Sequence, residues 1–305
     1  MSTPRPDPSE RSEDSSARYS SPREITPALL RSWPLPDAAA SKYGRGQVLI
    51  VGGAARTPGA VQLAGLAALR VGAGRLTMAV ASSVAVPLAV ATPEAGVVGL
   101  PQNAHGSVLG GNLDAIADDL GSADVVTAGV GLDDPDETAL LLQTLIPQLG
   151  EQTWLVLDAF ALGVLPGMVE ALEPVRGRLV LTPNLSEAGR LLGRELDDEE
   201  SDIAEIAARY GALISCYGTI ADADGRIWRV GAGNGGLATS GSGDVLVGAV
   251  TGLLGRTGQA DQATCWGTHV HSAAGDRLAA RIGTLGFLAR ELLDELPIVL
   301  SELGA

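Results

Sequence analysis

The sequence predicts an α/β fold with a mostly parallel central sheet, helices on both of its faces and a helical C-terminal segment. Three observations carry this reading. Short, near-continuously apolar runs rich in β-formers recur along the chain, as expected when both faces of a sheet are covered. Segments with apolar residues spaced three and four apart lie between them, and such alternation implies parallel strands joined by right-handed helical crossovers. Beyond Asp244 only helical patterns remain.

The predicted buried strands are Gln47–Val51, Leu76–Val80, Asp124–Ala128, Trp154–Asp158, Leu179–Thr182 and Ala212–Cys216. The first is followed by a helix over Pro58–Val71, whose apolar stripe is Ala60, Leu63, Ala64, Ala67, Ala68 and Val71. Pro58 suits its first turn and Gly72 its stop. Leu76–Pro93 carries no charge, but its serines and Pro87 predict a strand and short helix rather than a membrane span. Thr219–Ala221 and Arg226–Val230 flank Asp224-Gly225, a hairpin signal that predicts an antiparallel edge. Helices are expected over Asp244–Leu254, Ala260–Arg281 and Phe287–Glu302. Residues 1–24 mix Pro, Ser, Arg and acids without an apolar run, so they read as a disordered tail rather than a signal peptide. Residues 25–305 read as one domain with no internal repeat.

Composition narrows the function. The 305 residues carry a formal net charge of −15, which disfavours nucleic acid and anionic membrane surfaces as partners. Lys42 is the single lysine, so neither a Gly-Lys-Ser/Thr phosphate loop nor a pocket Schiff base is available unless Lys42 supplies it. Cys216 and Cys265 are too far apart for a Cys-x-x-Cys site, and a reducing, cytoplasmic setting is expected. Glycine is abundant, at 40 residues. The turn Gly52-Gly53-Ala54-Ala55-Arg56-Thr57-Pro58-Gly59 lacks the Gly-x-Gly-x-x-Gly spacing of a dinucleotide fingerprint.

The most informative segment is Gly231–Asp244, which places six glycines ahead of the helix that Asp244 opens. A glycine-rich loop entering a helix offers unpaired N–H groups and the positive end of the helix dipole, which suits phosphate without lysine. Asp244 alone is explicable as a capping residue. Beside a bound phosphate, its carboxylate is also placed to take a proton from an attacking hydroxyl.

Ala238-Thr239-Ser240-Gly241-Ser242-Gly243-Asp244 resembles the Ala-Thr-Gly-Gly-Ser-Gly-Asp signature of the ADP/ATP-dependent NAD(P)H-hydrate dehydratases, of the ribokinase-like superfamily. Further matches are Val48–Gly53 with Pro58-Gly59-Ala60, Ala68–Gly74, Gly129–Leu132, Leu157-Asp158-Ala159, Leu181-Thr182-Pro183 with Glu187, and His271–Asp276, so the resemblance spans about Ser41 to Leu303. It implies repair of hydrated NADH or NADPH: ADP or ATP, with Mg2+, phosphorylates the ring hydroxyl, and phosphate elimination restores the dihydronicotinamide. Carried over residue by residue, it implies that Asp244 is the catalytic base. Ala60, Gly131, Asn184 and Asp244 would meet the hydrate, and Ser215, Cys216, Tyr217, Gly218, Thr219 and Gly243 the adenine nucleotide. The chain departs from the family pattern at three places. Ser215-Cys216 stands where the family has a lysine, Asn184 replaces a histidine, and Gly129-Val130-Gly131 replaces Gly-Pro-Gly. A homo-oligomer and a separate NAD(P)HX epimerase as functional partner are also implied, since the stretch before the matching region is too short to hold an epimerase.

The remaining candidates read more plainly. His269 and His271 are two apart on a helix and face different directions, so no metal site of the protein's own is expected. Asp158 at a strand end is either structural or steers substrate. The run Asp197–Glu200 reads as the solvated start of a helix, and Cys265 and Trp266 as core. Nothing in the sequence selects Arg256, Arg277 or Arg281 for phosphate. Two other functions use the same loop: a ribokinase-like small-molecule kinase, and a catalytically silent nucleotide-binding homologue.

Overall fold

The computed structural model describes residues 21–36, 42–233 and 235–305. Ten strands form one sheet: β1 (Arg23–Ile25), β2 (Gln47–Val51), β3 (Arg75–Ala81), β4 (Gly96–Leu100), β5 (Val125–Ala128), β6 (Trp154–Leu157), β7 (Leu179–Leu181), β8 (Leu213–Cys216), β9 (Thr219–Ala221) and β10 (Ile227–Val230). Their order is β1-β10-β9-β8-β7-β6-β5-β2-β3-β4, and every neighbouring pair is parallel except β8–β9 and β9–β10. The chain moves from β2 outward to β4 and then returns to β5 on the other side of β2. A crevice therefore opens beyond the carboxyl ends of β2 and β5, where ligands bind in sheets of this kind.

Side chains alternate between two cores, as the two-residue period of a strand demands. Val48 and Ile50 of β2 join one core and Leu49 and Val51 the other. The first core is covered by α2 (Pro58–Arg70), α3 (Ser82–Ala91), α9 (Ser242–Thr257), α10 (Ala260–Ile282) and α11 (Ala289–Leu303), with α1 (Pro27–Ser32) beside them. The second is covered by α4 (Ala117–Ser122), α5 (Pro135–Leu145), α6 (Phe160–Val164), α7 (Leu185–Leu192) and α8 (Glu199–Tyr210). Cys265 and Trp266 are buried in the first core, and the Trp266 indole donates to the Trp33 carbonyl at 2.9 Å. Among the described residues no helix is long and apolar enough to cross a membrane.

Four features differ from expectation. The expected disordered tail falls outside the described residues up to position 20, but its Arg23 and Glu24 belong with Ile25 to β1. That strand pairs in parallel with β10, so the expected hairpin exists but β1, not the hairpin, occupies the edge. The opposite edge, β4, has the sequence Gly-Val-Val-Gly-Leu. Its glycines weaken the strand signal, but a methyl at Gly99 would come within 3.1 Å of the Ser82 Cα, so the glycine admits the start of α3. The acidic run is also less solvated than expected. Asp198 caps α8, Glu200 pairs with Arg229, and Glu199 accepts from Thr219 Oγ1 at 2.5 Å.

The closest helix packing is between α2 and α9. A methyl at Gly248 would sit 2.1 Å from the Ala64 carbonyl oxygen, and one at Gly252 would sit 2.5 Å from that of Ala68. Both pairs are spaced by four residues, one helical turn, so the helices run in the same direction with backbones in contact. Gly248→Ala is expected to lower unfolding stability by about 1–3 kcal/mol through overpacking. Gly163 of α6 has open space at its Cβ position, so Gly163→Ala is expected to raise stability by about 0.5–1 kcal/mol. Urea denaturation of both variants checks the pair.

Candidate active site

Four of the helices begin with a side-chain cap: Thr26 at α1, Asp134 at α5, Asn184 at α7 and Asp198 at α8. At α9 the N-cap is Gly241, held in the left-handed region at φ 90°, and it has no side chain to offer. Ser242 N donates to the Thr239 carbonyl at 3.2 Å, which leaves the N–H groups of Gly243 and Asp244 to face a ligand, and the dipole favours an anion there. The turn is anchored from α10, where His271 Nε2 lies 3.0 Å from both the Ser242 hydroxyl and the Ser242 carbonyl oxygen. A carbonyl only accepts, so the ring nitrogen facing it carries hydrogen. Burial pushes the His271 pKa down to about 4, and the ring is neutral.

Asp244 is the third residue of α9. The α2–α9 ladder that pairs Gly248 with Ala64 places Asp244 and Ala60 together one turn earlier. Gly131 completes this group: its φ is +68°, and a methyl on it would lie 3.0 Å from the Ala60 Cβ and 2.5 Å from the Thr57 carbonyl. The loops after β2 and β5 are bound together at this point. Gly53 N donates to Val130 O at 2.9 Å, Ala54 N to Gly131 O at 2.8 Å and Thr57 Oγ1 to Gly131 O at 2.7 Å. The crevice at the sheet's reversal thus holds Ala60, Gly131 and Asp244.

Burial raises the Asp244 pKa to about 6. Asp158, at the end of β6, is raised further, to about 8, first by burial and then by the carboxylates of Glu187 and Asp244. Its Oδ1 accepts from Thr182 Oγ1 at 2.7 Å, which opposes part of that shift. Glu187 is also raised, chiefly by burial. Three carboxyl groups with elevated pKa therefore gather at the carboxyl ends of the strands. Such a cluster is a mark of functional sites. Asp158 was readable in the sequence only as a strand-end acid, because its Thr182 partner comes from the next strand.

A cleft of about 350 Å³ opens beside the start of α9, within the range of small-molecule sites. Asn184, Ser215, Tyr217, Gly218, Ser242 and Gly243 line it, with Thr182. Other candidates face elsewhere. The Cys216 side chain is buried in the second core, and burial pushes its thiol up to about 12. Thr219 is 2% exposed and bonded to Glu199. Asn184 is engaged as a cap: its Oδ1 accepts from Glu187 N, and Glu187 Oε2 accepts from Asn184 N, both at 2.9 Å. Ser215 shares a hydrogen bond of 2.9 Å with Thr268. Among the described lining residues none carries a full charge at neutral pH. Arg256 donates to the Val71 carbonyl, and Arg277 and Arg281 pair with the buried Glu295, so none of the three lines this cleft. Among the described residues no three His, Cys, Asp or Glu side chains are grouped to hold a metal ion.

Comparisons with known proteins identify the family. A family model described as NAD(P)H-hydrate dehydratase matches residues 48–298. The ADP-dependent (S)-NAD(P)H-hydrate dehydratase of Xanthomonas campestris pv. campestris is 42% identical over 290 residues, covering 92% of this chain and 97% of that protein. The bifunctional NAD(P)H-hydrate repair enzyme of Moorella thermoacetica is 38% identical over 92% of this chain, which spans 54% of that relative's length. The ADP/ATP-dependent NAD(P)H-hydrate dehydratase from Bacillus subtilis, co-crystallized with ATP/Mg2+, superposes with a TM-score of 0.74 at 25% identity, covering 92% of this chain and 98% of the other. The chain belongs to the NAD(P)H-hydrate dehydratase family.

Proposed function

We propose that this protein dehydrates (S)-NADHX and (S)-NADPHX to NADH and NADPH at the expense of ADP or ATP. The observation that carries the reading is Asp244, a carboxylate with its pKa raised to about 6, in the first turn of a helix whose glycine N-cap offers no side chain to the N–H groups of Gly243 and Asp244. A base with that pKa is ionised at neutral pH and still basic enough to take a proton in the transition state. In the first step Asp244 accepts the proton of the ring hydroxyl as its oxygen attacks the terminal phosphorus. The nucleotide leaves with one phosphate fewer. The ring nitrogen's electron pair then expels inorganic phosphate from the neighbouring carbon, and loss of a proton from the next carbon restores the double bond.

The backbone N–H groups of Gly243 and Asp244 suit the transferring phosphate, and we assign the hydrate ring to the crevice beside Ala60 and Gly131. Magnesium fits here as a companion of the nucleotide, since the neutral cleft offers polar oxygens but no three-ligand metal cage. Bound with the phosphates, it would neutralise charge that no side chain of the cleft lining offsets. The chain spans about half the length of the bifunctional relatives it matches.

Incubation with NADHX, Mg2+ and either ADP or ATP is expected to regenerate dihydronicotinamide absorbance. No recovery with either donor, or a stable phosphorylated product, would overturn the reading. Asp244→Asn is expected to lower kcat by about 10²–10⁴-fold, the range of a lost general base, with nucleotide binding retained. The pH profile should be bell-shaped. Activity falls as pH drops through about 6 because Asp244 gains a proton, and falls as pH rises through about 8 because Asp158 becomes a second buried anion beside the phosphates. In Asp158→Asn the alkaline limb should flatten while the acid limb stays.

A further inference from the structure

Strands β8 and β9 are joined by two residues, Tyr217 and Gly218, and both lie in the left-handed region, with φ of 52° and 97°. Two consecutive left-handed residues make the turn that matches strand twist, and its first position favours Asn, Asp or Gly. A tyrosine there is an outlier, because bulky L side chains rarely adopt positive φ. Hairpin pairing maintains it, together with a 2.8 Å bond from Val230 N to Gly218 O. Tyr217 is 73% exposed and lines the cleft. Leu237, Ala238 and Leu246 give the same cleft an apolar wall.

A strained position that persists points to a function of the side chain rather than of the turn, since glycine would make the same turn without strain. The charge balance supplies the need. With no charged group among the described lining residues, side chains give the phosphates no Coulombic attraction, and affinity must come from backbone N–H groups and from the rest of the nucleotide. The base is the part with large planar faces, and an exposed aromatic ring is the partner such faces take.

We propose that Tyr217 is the platform on which the nucleotide's base stacks, and that this contact supplies a main part of nucleotide affinity in a cleft without basic side chains. The inference rests on the nucleotide-dependent function proposed above and adds how the base is held. Stacking favours the larger purine face over a pyrimidine and is indifferent to the base's hydrogen-bonding edge. ADP and GDP should therefore bind more tightly than CDP and UDP.

Calorimetric titration of ADP, GDP, CDP and UDP, with Mg2+, into the wild type, Tyr217→Phe and Tyr217→Gly tests this. Glycine accepts the left-handed turn, so Tyr217→Gly should melt at or above the wild-type temperature. It should weaken ADP binding by about 5- to 100-fold, the range of one lost base–aromatic stack, and lose the preference for purines. Tyr217→Phe should retain both. ADP affinity in Tyr217→Gly within about twofold of wild type, in a wild type that still turns over NADHX, overturns the inference and leaves the proposed function standing. A wild type that binds none of the four nucleotides and does not turn over NADHX removes the function and this inference together.

Discussion

The backbone-to-backbone crossing of α2 and α9 is the constraint from which the site follows. Gly248 and Gly252 remove the side chains that would hold the two helices apart, and Ala64 and Ala68 present carbonyls to them. Because both helices run the same way, closing this contact brings their N-termini to one place, the crevice beyond β2 and β5. A buried bond of 2.7 Å between Thr127 of β5 and Thr251 of α9 fixes the helix against the sheet, and His271 fixes its first residue from the side. Asp244 has little freedom left. Proton transfer and phosphoryl transfer both depend on positioning, so a packing feature one to two turns from the chemistry sets its geometry.

Electrostatics explains how a chain of net charge −15 handles phosphate. Burial keeps Asp158 mostly neutral at pH 7, and it raises the pKa of Glu187 as well. The neutral His271 contributes no cation. What remains is the field of the α9 N-terminus, one ionised base and the cation that accompanies a nucleotide. Lysine, absent from Ser215-Cys216, is not replaced by any arginine of the described lining. The turn carrying Tyr217 then takes on a larger share of recognition.

The strands that lie between two helical layers were legible because burial on both faces leaves an uninterrupted apolar run, and the glycine loop was legible because no ordinary cap needs so many glycines. Short edge strands were not: Arg23–Ile25 has three residues, two of them charged, and β4 contains two glycines whose purpose lies in the contact with α3. Side-chain orientation was also beyond the sequence. Cys216 and Thr219 stand beside cleft residues in the chain, yet alternation along a strand turns Cys216 into the core, and Thr219 is satisfied by Glu199 from another helix. Asn184, expected as a substrate contact, serves as a cap as well, which its spacing to Glu187 already allowed. Asp158 acquired meaning only when folding brought Thr182, Glu187 and Asp244 around it.

The central claim is that backbone groups at the start of α9, rather than basic side chains, hold the transferring phosphate beside Asp244. A crystal structure with a non-hydrolysable ATP analogue and Mg2+ tests it most directly. The account predicts the terminal phosphate within hydrogen-bond distance of the N–H groups of Gly243 and Asp244, with no arginine or lysine in contact. Phosphates bound instead by arginines such as Arg277 and Arg281, away from the α9 N-terminus, would contradict it.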